Sequence, residues 1–197
     1  GVQALALPIS VGLKACPQCE EALARRGHDV SPLDEGPGTW TELAAGDFDC
    51  VFIALHGPLG EDGTVQGMCE LLALPYTGCG VLSSALCIDK ILTKRLLQRV
   101  GLPTPPFHAF SRRTFQDLGA ATVFDDVMAS LGAPVVVKPA RMGSSFGIKF
   151  VSHPDQLRTA VRGSVAYDDE MLVEQHVAGR ELAVTVIGGA DPAHPEP

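Results

Sequence analysis

Charge is thin along this 197-residue chain: Asp, Glu, Lys and Arg together make up only 19% of it, against 46% apolar residues. A disordered chain has the opposite balance, so the composition belongs to a chain that folds around a core. Long apolar runs are missing too. Val51–Leu55 and Ala133–Val137 are strand-sized, well short of the ~20 residues that cross a bilayer, and no membrane partner is expected. There is no basic cluster. The net charge of −8 divides into −5 over residues 1–100 (7 basic, 12 acidic) and −3 over residues 101–197 (8 basic, 11 acidic). This argues against a nucleic-acid partner, because duplex binding needs clustered Lys and Arg to displace counterions. A local pocket of a few lysines and backbone amides can still hold an anion on an acidic protein. The start of the chain lacks a basic region and a cleavage-type end, so no secretory leader is expected and the cytoplasm is the expected compartment. The six cysteines, at 16, 19, 50, 69, 79 and 87, lack a regular spacing, which excludes a small disulfide scaffold. Cys50, Cys69 and Cys87 sit within apolar patterns, as buried free thiols do. Cys16-Pro-Gln-Cys19 is a lone CxxC, with no second ligand pair to make it a zinc site.

What is present is alternation. Val2–Leu7 reads as a strand, Leu13–Arg26 as a helix ending at Gly27, and His28–Leu33 as extended. Thr39-Trp-Thr-Glu42 fits a capping box and predicts a short helix. Asp49–Leu55 is the clearest strand. Thr64–Ala73 has Val65, Met68, Leu71 and Leu72 at helical spacing, and Asp89–Val100 has Ile91, Leu92, Leu96 and Leu97. Strands alternating with helices predict a parallel sheet covered on both faces. Gly101-Leu-Pro-Thr-Pro-Pro-Phe107 is the best linker, since its prolines fix an extended path. After it the pattern predicts a helix over Phe115–Leu131, strands at Ala133–Lys138 and Ile148–Val151, and a helix from Pro154 with a capping box in Ser152-His-Pro-Asp155. Met171–Gln175 and Leu182–Ile187 read as further strands. The length fits one large domain or two small ones.

The chemistry concentrates in a few segments. In Val136-Val-Lys-Pro-Ala-Arg-Met-Gly-Ser-Ser-Phe-Gly147 a buried strand delivers Lys138 to its end, and a loop follows with Gly143, Ser144, Ser145 and Gly147. Glycines let backbone amides approach an oxyanion, hydroxyls add donors, and a lysine neutralises phosphate. The same residues also suit a Gly-Ser hairpin with a solvated lysine. Glu174 leaves a strand, with Glu181 seven residues on. These are either acceptors for a ribose hydroxyl or a metal-bound group, or ordinary surface acids. His56-Gly-Pro-Leu-Gly-Glu-Asp-Gly-Thr64 follows the strongest strand, where open α/β sheets bind ligands; a turn with a structural histidine fits equally. Lys90 and Lys94 open a helix behind Asp89. Lys90 is poorly placed for the helix dipole and so is a candidate for use elsewhere; a solvated face is the alternative.

In order and spacing these segments resemble the D-alanine–D-alanine ligase family of the ATP-grasp superfamily. The resemblance rests on His56–Gly67, Leu74-Pro-Tyr-Thr-Gly78, Ser83–Lys90 with Lys94, Gly101–Pro105, Lys138–Gly147, and Val173-Glu174 through Gly179-Arg-Glu181. It implies an α/β fold: an N-terminal pre-ATP-grasp parallel-sheet domain over residues 1–102, then a partial ATP-grasp (α+β) domain over 103–197. It implies ATP-dependent ligation of two D-alanines through an acylphosphate for peptidoglycan synthesis, with ATP and Mg²⁺ (or Mn²⁺) as cofactors. D-alanine and ATP are the implied partners, in a homodimer. Residue by residue, Lys90 and Lys138 match the nucleotide lysines, and Ser144 and Ser145 the loop closing over the phosphates. Ser144 and His56 match the substrate end and are the catalytic candidates. Glu174 and Val177 match the adenine hinge, and Glu181 the ribose carboxylate.

The chain departs from the family at Val11-Gly12-Leu13, which replaces Val-Ser-Leu, at Pro8, where a glutamate for the first D-alanine is expected, and at Met142, usually acidic. The family runs on for roughly another hundred residues, a further domain's worth, so the resemblance implies a C-terminally truncated ligase. No metal ligands are assigned here, since the family's lie in that further part, and the isolated chain is expected to be inactive. Competing readings are a non-catalytic nucleotide-binding relative or fragment, and an ATP-grasp ligase for another amino acid. An exposed edge after Leu182–Ile187 predicts aggregation or dimerisation.

Overall fold

In the computed structural model the chain is described at residues 3–7, 17–33, 36, 38–117 and 121–186, with backbone alone at 3–7, 115–117 and 121–122. The first unit is a parallel sheet of β1 (Gln3–Leu7), β2 (Asp29–Pro32) and β3 (Cys50–Ile53), in the order β2-β1-β3. Parallel neighbours need crossovers, and α1 (Pro17–Arg25) and α2 (Thr39–Ala45) supply them. The chain then returns beside β3: Val51 donates to the Pro75 carbonyl at 2.8 Å, and Thr77 donates back to Val51 at 3.0 Å. Leu33, Leu43, Val51, Leu55, Val65 and Cys69 form the core beneath α3 (Thr64–Leu71).

The helices α4 (Val81–Ile88) and α5 (Lys90–Arg99) lead to a second, antiparallel sheet. Its strands are β4 (Phe107–Ser111), β5 (Val135–Pro139), β6 (Lys149–Val151) and β7 (Glu170–Gln175), in the order β4-β7-β5-β6. Between β4 and β5 run α6 (Arg112–Asp117) and α7 (Ala121–Leu131); α8 (Pro154–Val165) joins β6 to β7. The two-residue period of a strand sorts this sheet into two faces. Val135, Val137, Met171 and Val173 pack with α7 and α8. Leu172 faces the other way, onto Ile91 of α5, with Ala140 and Phe107. That second face therefore also carries Val136, Lys138 and Glu174, and it is where the chemistry lies.

The structure bears out the alternating first unit and the strands at 135–139, 149–151 and 170–175, and corrects several expectations. Residues 182–186 form no strand: Leu182 and Val184 are 74% and 77% exposed. Both sides of β7 are already taken by β4 and β5, so the run does not pair with the strand it follows; Ile187 lies outside the described residues. Of the expected helix Phe115–Leu131, residues 115–117 are the end of α6 and 121–131 are α7, and 118–120 lie outside the described residues. The strand β4 and the helix α4 were not expected. Thr39 is the first residue of α2 behind Gly38 rather than its cap. The cap of α8 is His153, one residue past Ser152, with Gln156 accepting from the backbone N–H groups of both Ser152 and His153. On α3 the buried face is Val65, Gln66 and Cys69, while Leu71 is 86% exposed. On α5 it is Ile91 and Lys94, with Leu92 and Leu96 exposed. Cys87 is exposed rather than buried; Cys19, Cys50, Cys69, Cys79 and Cys87 are free thiols. Pro8, residues 11–13 and Cys16 lie outside the described residues. Among the described residues no helix is long and apolar enough to cross a membrane.

Candidate functional site

Register brings the site together. Val136 pairs with Glu174 across β5 and β7, and Phe107 pairs with Glu174 across β4 and β7. Lys138, two residues along from Val136, is then a diagonal neighbour of Glu174 on the same face, within reach of a long side chain. Its ammonium pairs with Glu174 Oε1. The other carboxylate oxygen, Oε2, accepts from Lys94 Nζ at 2.7 Å. Lys94 comes from α5, three residues past Ile91 and so on the same helix face. It also donates to Thr104 Oγ1 at 2.8 Å and lies 5.0 Å from the centre of the Phe107 ring. The side chains of Lys94 and Glu174 are 8% and 10% exposed, and that of Lys138 is 28% exposed. Burial alone would push the Glu174 carboxyl up. Hydrogen bonds and charge from Lys138 and Lys94 outweigh it and hold the carboxyl below the usual carboxylate range.

Beside this trio opens a cavity of about 450 Å³ lined by Lys138, Ser145, Glu174, Val177 and Glu181 together with apolar Val136 and Ile148. Phe150 and His176 form part of its wall, edge to face with ring centres 5.7 Å apart. One end is cationic, one wall apolar and aromatic, and two carboxylates are at hand. Such a cavity suits a ligand with a flat apolar group at one end and anionic charge at the other.

The Gly/Ser loop forms the rim. Ser144, Ser145 and Gly147 turn with φ of 48°, 62° and 73°; left-handed backbone at two serines is the kind of strain held at ligand-binding loops. At Gly147 an added Cβ would lie 2.6 Å from Pro139 and 2.8 Å from Tyr167. The base of the loop is clamped by Asp168, which accepts from the Arg141 backbone at 2.8 Å and from its guanidinium at 3.3 Å; Glu170 takes the same guanidinium at 3.0 Å. Lys90 serves the loop from behind, donating to the Met142 carbonyl at 2.5 Å and the Ala140 carbonyl at 3.4 Å. Burial, and then the Lys138 ammonium, hold Lys90 below the usual lysine range. Asp89, next to it, caps α5 by accepting from Ile91 and Leu92 at 3.0 Å.

His56 stands apart from this cavity. It lines a second one, of about 400 Å³, beyond the end of β3 with Glu61, Gln66, Thr77 and Ser84. Its Nδ1 is 3.7 Å from Glu61 Oε1, and Glu61 Oε2 accepts from the Gly57 N–H at 2.5 Å. The two loops nevertheless meet: a Cβ on Gly143 would lie 2.7 Å from Glu61 Oε2 and 3.2 Å from Gly57 N. The structure thus gathers Lys138, Ser145, Glu174, Val177 and Glu181 around one cavity, puts Ser144 on its rim loop with Lys90 bonded to that loop from α5, and places His56 in the neighbouring cavity. Sequence reasoning missed Lys94 as a site residue, along with Thr104, Arg141 and Asp168. For Lys94 the available signal was its place after Asp89-Lys90 in one of the segments that carry the family resemblance. Among the described residues no three His, Cys, Asp or Glu side chains cluster to hold a metal ion.

A parallel α/β unit, followed by an antiparallel sheet with lysines and a carboxylate facing a Gly/Ser loop, is the architecture of an ATP-grasp ligase. The sequence pattern described as "D-ala D-ala ligase N-terminus" matches residues 16–79, and that described as "D-ala D-ala ligase C-terminus" matches residues 96–195. The chain belongs to the D-alanine–D-alanine ligase family. It is 47% identical over 176 residues to the D-alanine–D-alanine ligase of Cupriavidus necator, covering 89% of this chain and 51% of the relative. It is 45% identical over 177 residues to that of Bordetella petrii, covering 90% and 52%. The crystal structure of the Bacillus anthracis D-alanine–D-alanine ligase superposes with a TM-score of 0.76 at 31% identity, over 91% of this chain and 59% of that one. The same organism's ligase complexed with ATP gives 0.72 at 28% identity, over 91% and 61%. The chain spans about half the length of the curated relatives it matches.

Proposed function

We propose that this chain is the nucleotide-binding part of an ATP-dependent ligase joining two D-alanines for cell-wall precursor synthesis. The observation that carries the reading is the convergence of Lys138 and Ser145 from one stretch, and Glu174, Val177 and Glu181 from another, on one cavity. In this reading Lys138 meets the phosphates, helped by Ser144, Ser145 and the loop amides. Glu181 accepts from the ribose, the backbone at Glu174 and Val177 faces the base, and Lys90 steadies the loop through the Met142 carbonyl. His56, with Glu61, serves the amino-acid side, and Ser144 stands between the two ends. Magnesium would arrive with the nucleotide, since Mg²⁺ is commonly bound through substrate phosphates and few protein carboxylates. The described residues supply no cluster for it, so no step is assigned to a metal here. In this reading the boundary falls near residue 102, with Lys90 and Lys94 reaching across it from α5 to the nucleotide side, and the setting is the cytoplasm. Two copies of the chain pair in this reading; light scattering giving a monomer at high concentration would refute that pairing.

The test is a calorimetric titration of the folded chain with Mg·ATP, beside D-alanine-dependent phosphate release, each with Lys138→Ala as control. Binding that weakens about tenfold in the variant, the loss expected for one charge-assisted contact, supports the reading. No binding at millimolar nucleotide overturns it.

A further inference from the structure

We infer that Lys94 is a positioning residue that keeps Lys138 available to an anion by taking up half of the Glu174 carboxylate. The inference rests on the nucleotide reading above and deepens it. Lys94 is not among the residues lining the cavity, so it touches no ligand there and acts through Glu174. Glu174 is buried with one oxygen on each ammonium. A carboxylate facing Lys138 alone would neutralise it, leaving a closed ion pair with no net charge toward the cavity. With Lys94 the trio carries two positive charges and one negative, a net +1. Of the two lysines, the less buried one, Lys138, is the cation that opens on the cavity, beside Glu174.

Lys94 is fixed for this task from three directions. Thr104 Oγ1 accepts from it at 2.8 Å, Glu174 Oε2 at 2.7 Å, and the Phe107 ring lies 5.0 Å away, a distance at which an aromatic face attracts a cation. Thr104 belongs to the proline-rich stretch and Phe107 begins β4. The linker is therefore part of the charge arrangement, because its path sets where the Lys94 ammonium sits.

The experiment compares charge states with a ligand that has no base. Inorganic tripolyphosphate is titrated into the unaltered chain, Lys94→Met, Glu174→Gln and the double variant, with folding followed by circular dichroism; ATP is titrated in parallel. The trio's net charge is +1 in the unaltered chain, 0 in Lys94→Met, +2 in Glu174→Gln and +1 again in the double variant. Tripolyphosphate affinity is expected to fall about tenfold in Lys94→Met, as one unit charge roughly ten ångströms away through a protein-like dielectric does. It rises severalfold in Glu174→Gln and returns to within about threefold of the unaltered chain in the double variant. A merely structural Lys94 would leave the double variant as weak as the single one, and that result overturns the inference, as does an unchanged Lys94→Met. If Lys94→Met does not fold, Glu174→Gln against the double variant makes the same one-charge comparison. Failure of the nucleotide reading itself shows in the unaltered chain, which would bind neither ligand; failure of the inference alone shows only in the variants.

Discussion

Adding one methyl group at Gly143 tests whether the two loops form one site. Its Cβ would arrive 2.7 Å from Glu61 Oε2, 3.2 Å from Gly57 N and 3.3 Å from Gly57 Cα. The carboxylate is the free end of a side chain and could swing away. Swinging would break its hydrogen bond from the Gly57 N–H, and a bond to a charged group contributes about 1.5–3 kcal/mol. The Gly57 backbone cannot swing, so the alternative is separation of the loops, an overpacking cost of about 1–3 kcal/mol. Either route predicts that Gly143→Ala loses about 1–3 kcal/mol in urea unfolding and weakens nucleotide binding. Gly179→Ala is the control: nothing lies within 4 Å of its added Cβ and its φ is not in the left-handed region. It should be neutral, or stabilising by about 0.4–1 kcal/mol through the unfolded chain. If Gly143→Ala matches Gly179→Ala in both assays, the approach of the loops is not a working contact.

Other expectations follow from single features. The folded-state value of Glu174 lies below its ordinary one, so its stabilisation is fully present above the unfolded carboxyl value, about 4.3, and is lost as pH falls through the folded one. Urea midpoints measured downward from pH 6 should drop less steeply in Glu174→Gln, and equal slopes would refute the assignment. Leu157, fully buried on the inner face of α8, should cost about 2–5 kcal/mol when replaced by Ala; a loss under about 1 kcal/mol by urea unfolding would contradict that packing. Burial, then nearby Cys50 and Glu70, push the Cys69 thiol up to about 11. Brief alkylation at pH 8 followed by mass spectrometry should label exposed Cys79 and Cys87 but not Cys69; comparable labelling of Cys69 in folded protein would be the contrary result.

Local pattern carried the parts of the fold that depend on local pattern. The run Val135–Val137 is a strand because three β-branched residues in a row fit only a sheet buried on both faces, and it is buried so. Asp89 reads as a helix start and is one. Leu182–Val186 looks just as apolar and is not a strand, because a strand is made by hydrogen-bonded neighbours and composition says nothing about which neighbours a segment meets. The missed β4 has the opposite cause. Its sequence, Phe-His-Ala-Phe-Ser, is weak in pattern, and it is held by pairing along its whole length with β7.

The site shows the same division more sharply. Lys138 and Ser145 stood out from local chemistry, Glu174 and Glu181 as carboxylates that could equally be surface acids, and Val177 only through the family resemblance; the structure places all five around one cavity. Lys94 was not, because its significance depends on a partner 80 residues away. A lysine at i+3 from a buried isoleucine reads as a solvated flank when only the helix is considered, and Leu92 and Leu96 are the more natural choices for its inner face. The choice reverses once the sheet behind the helix offers a carboxylate. A buried carboxylate without sufficient counter-charge is unfavourable, and Lys94 points inward with Ile91 while Leu92 and Leu96 stay 42% and 43% exposed. The inner face of α5 is therefore mixed: Ile91 packs with Leu172 and Ala140, and Lys94 reaches Glu174. Apolar periodicity alone does not pick out that face, because one of its positions answers to charge.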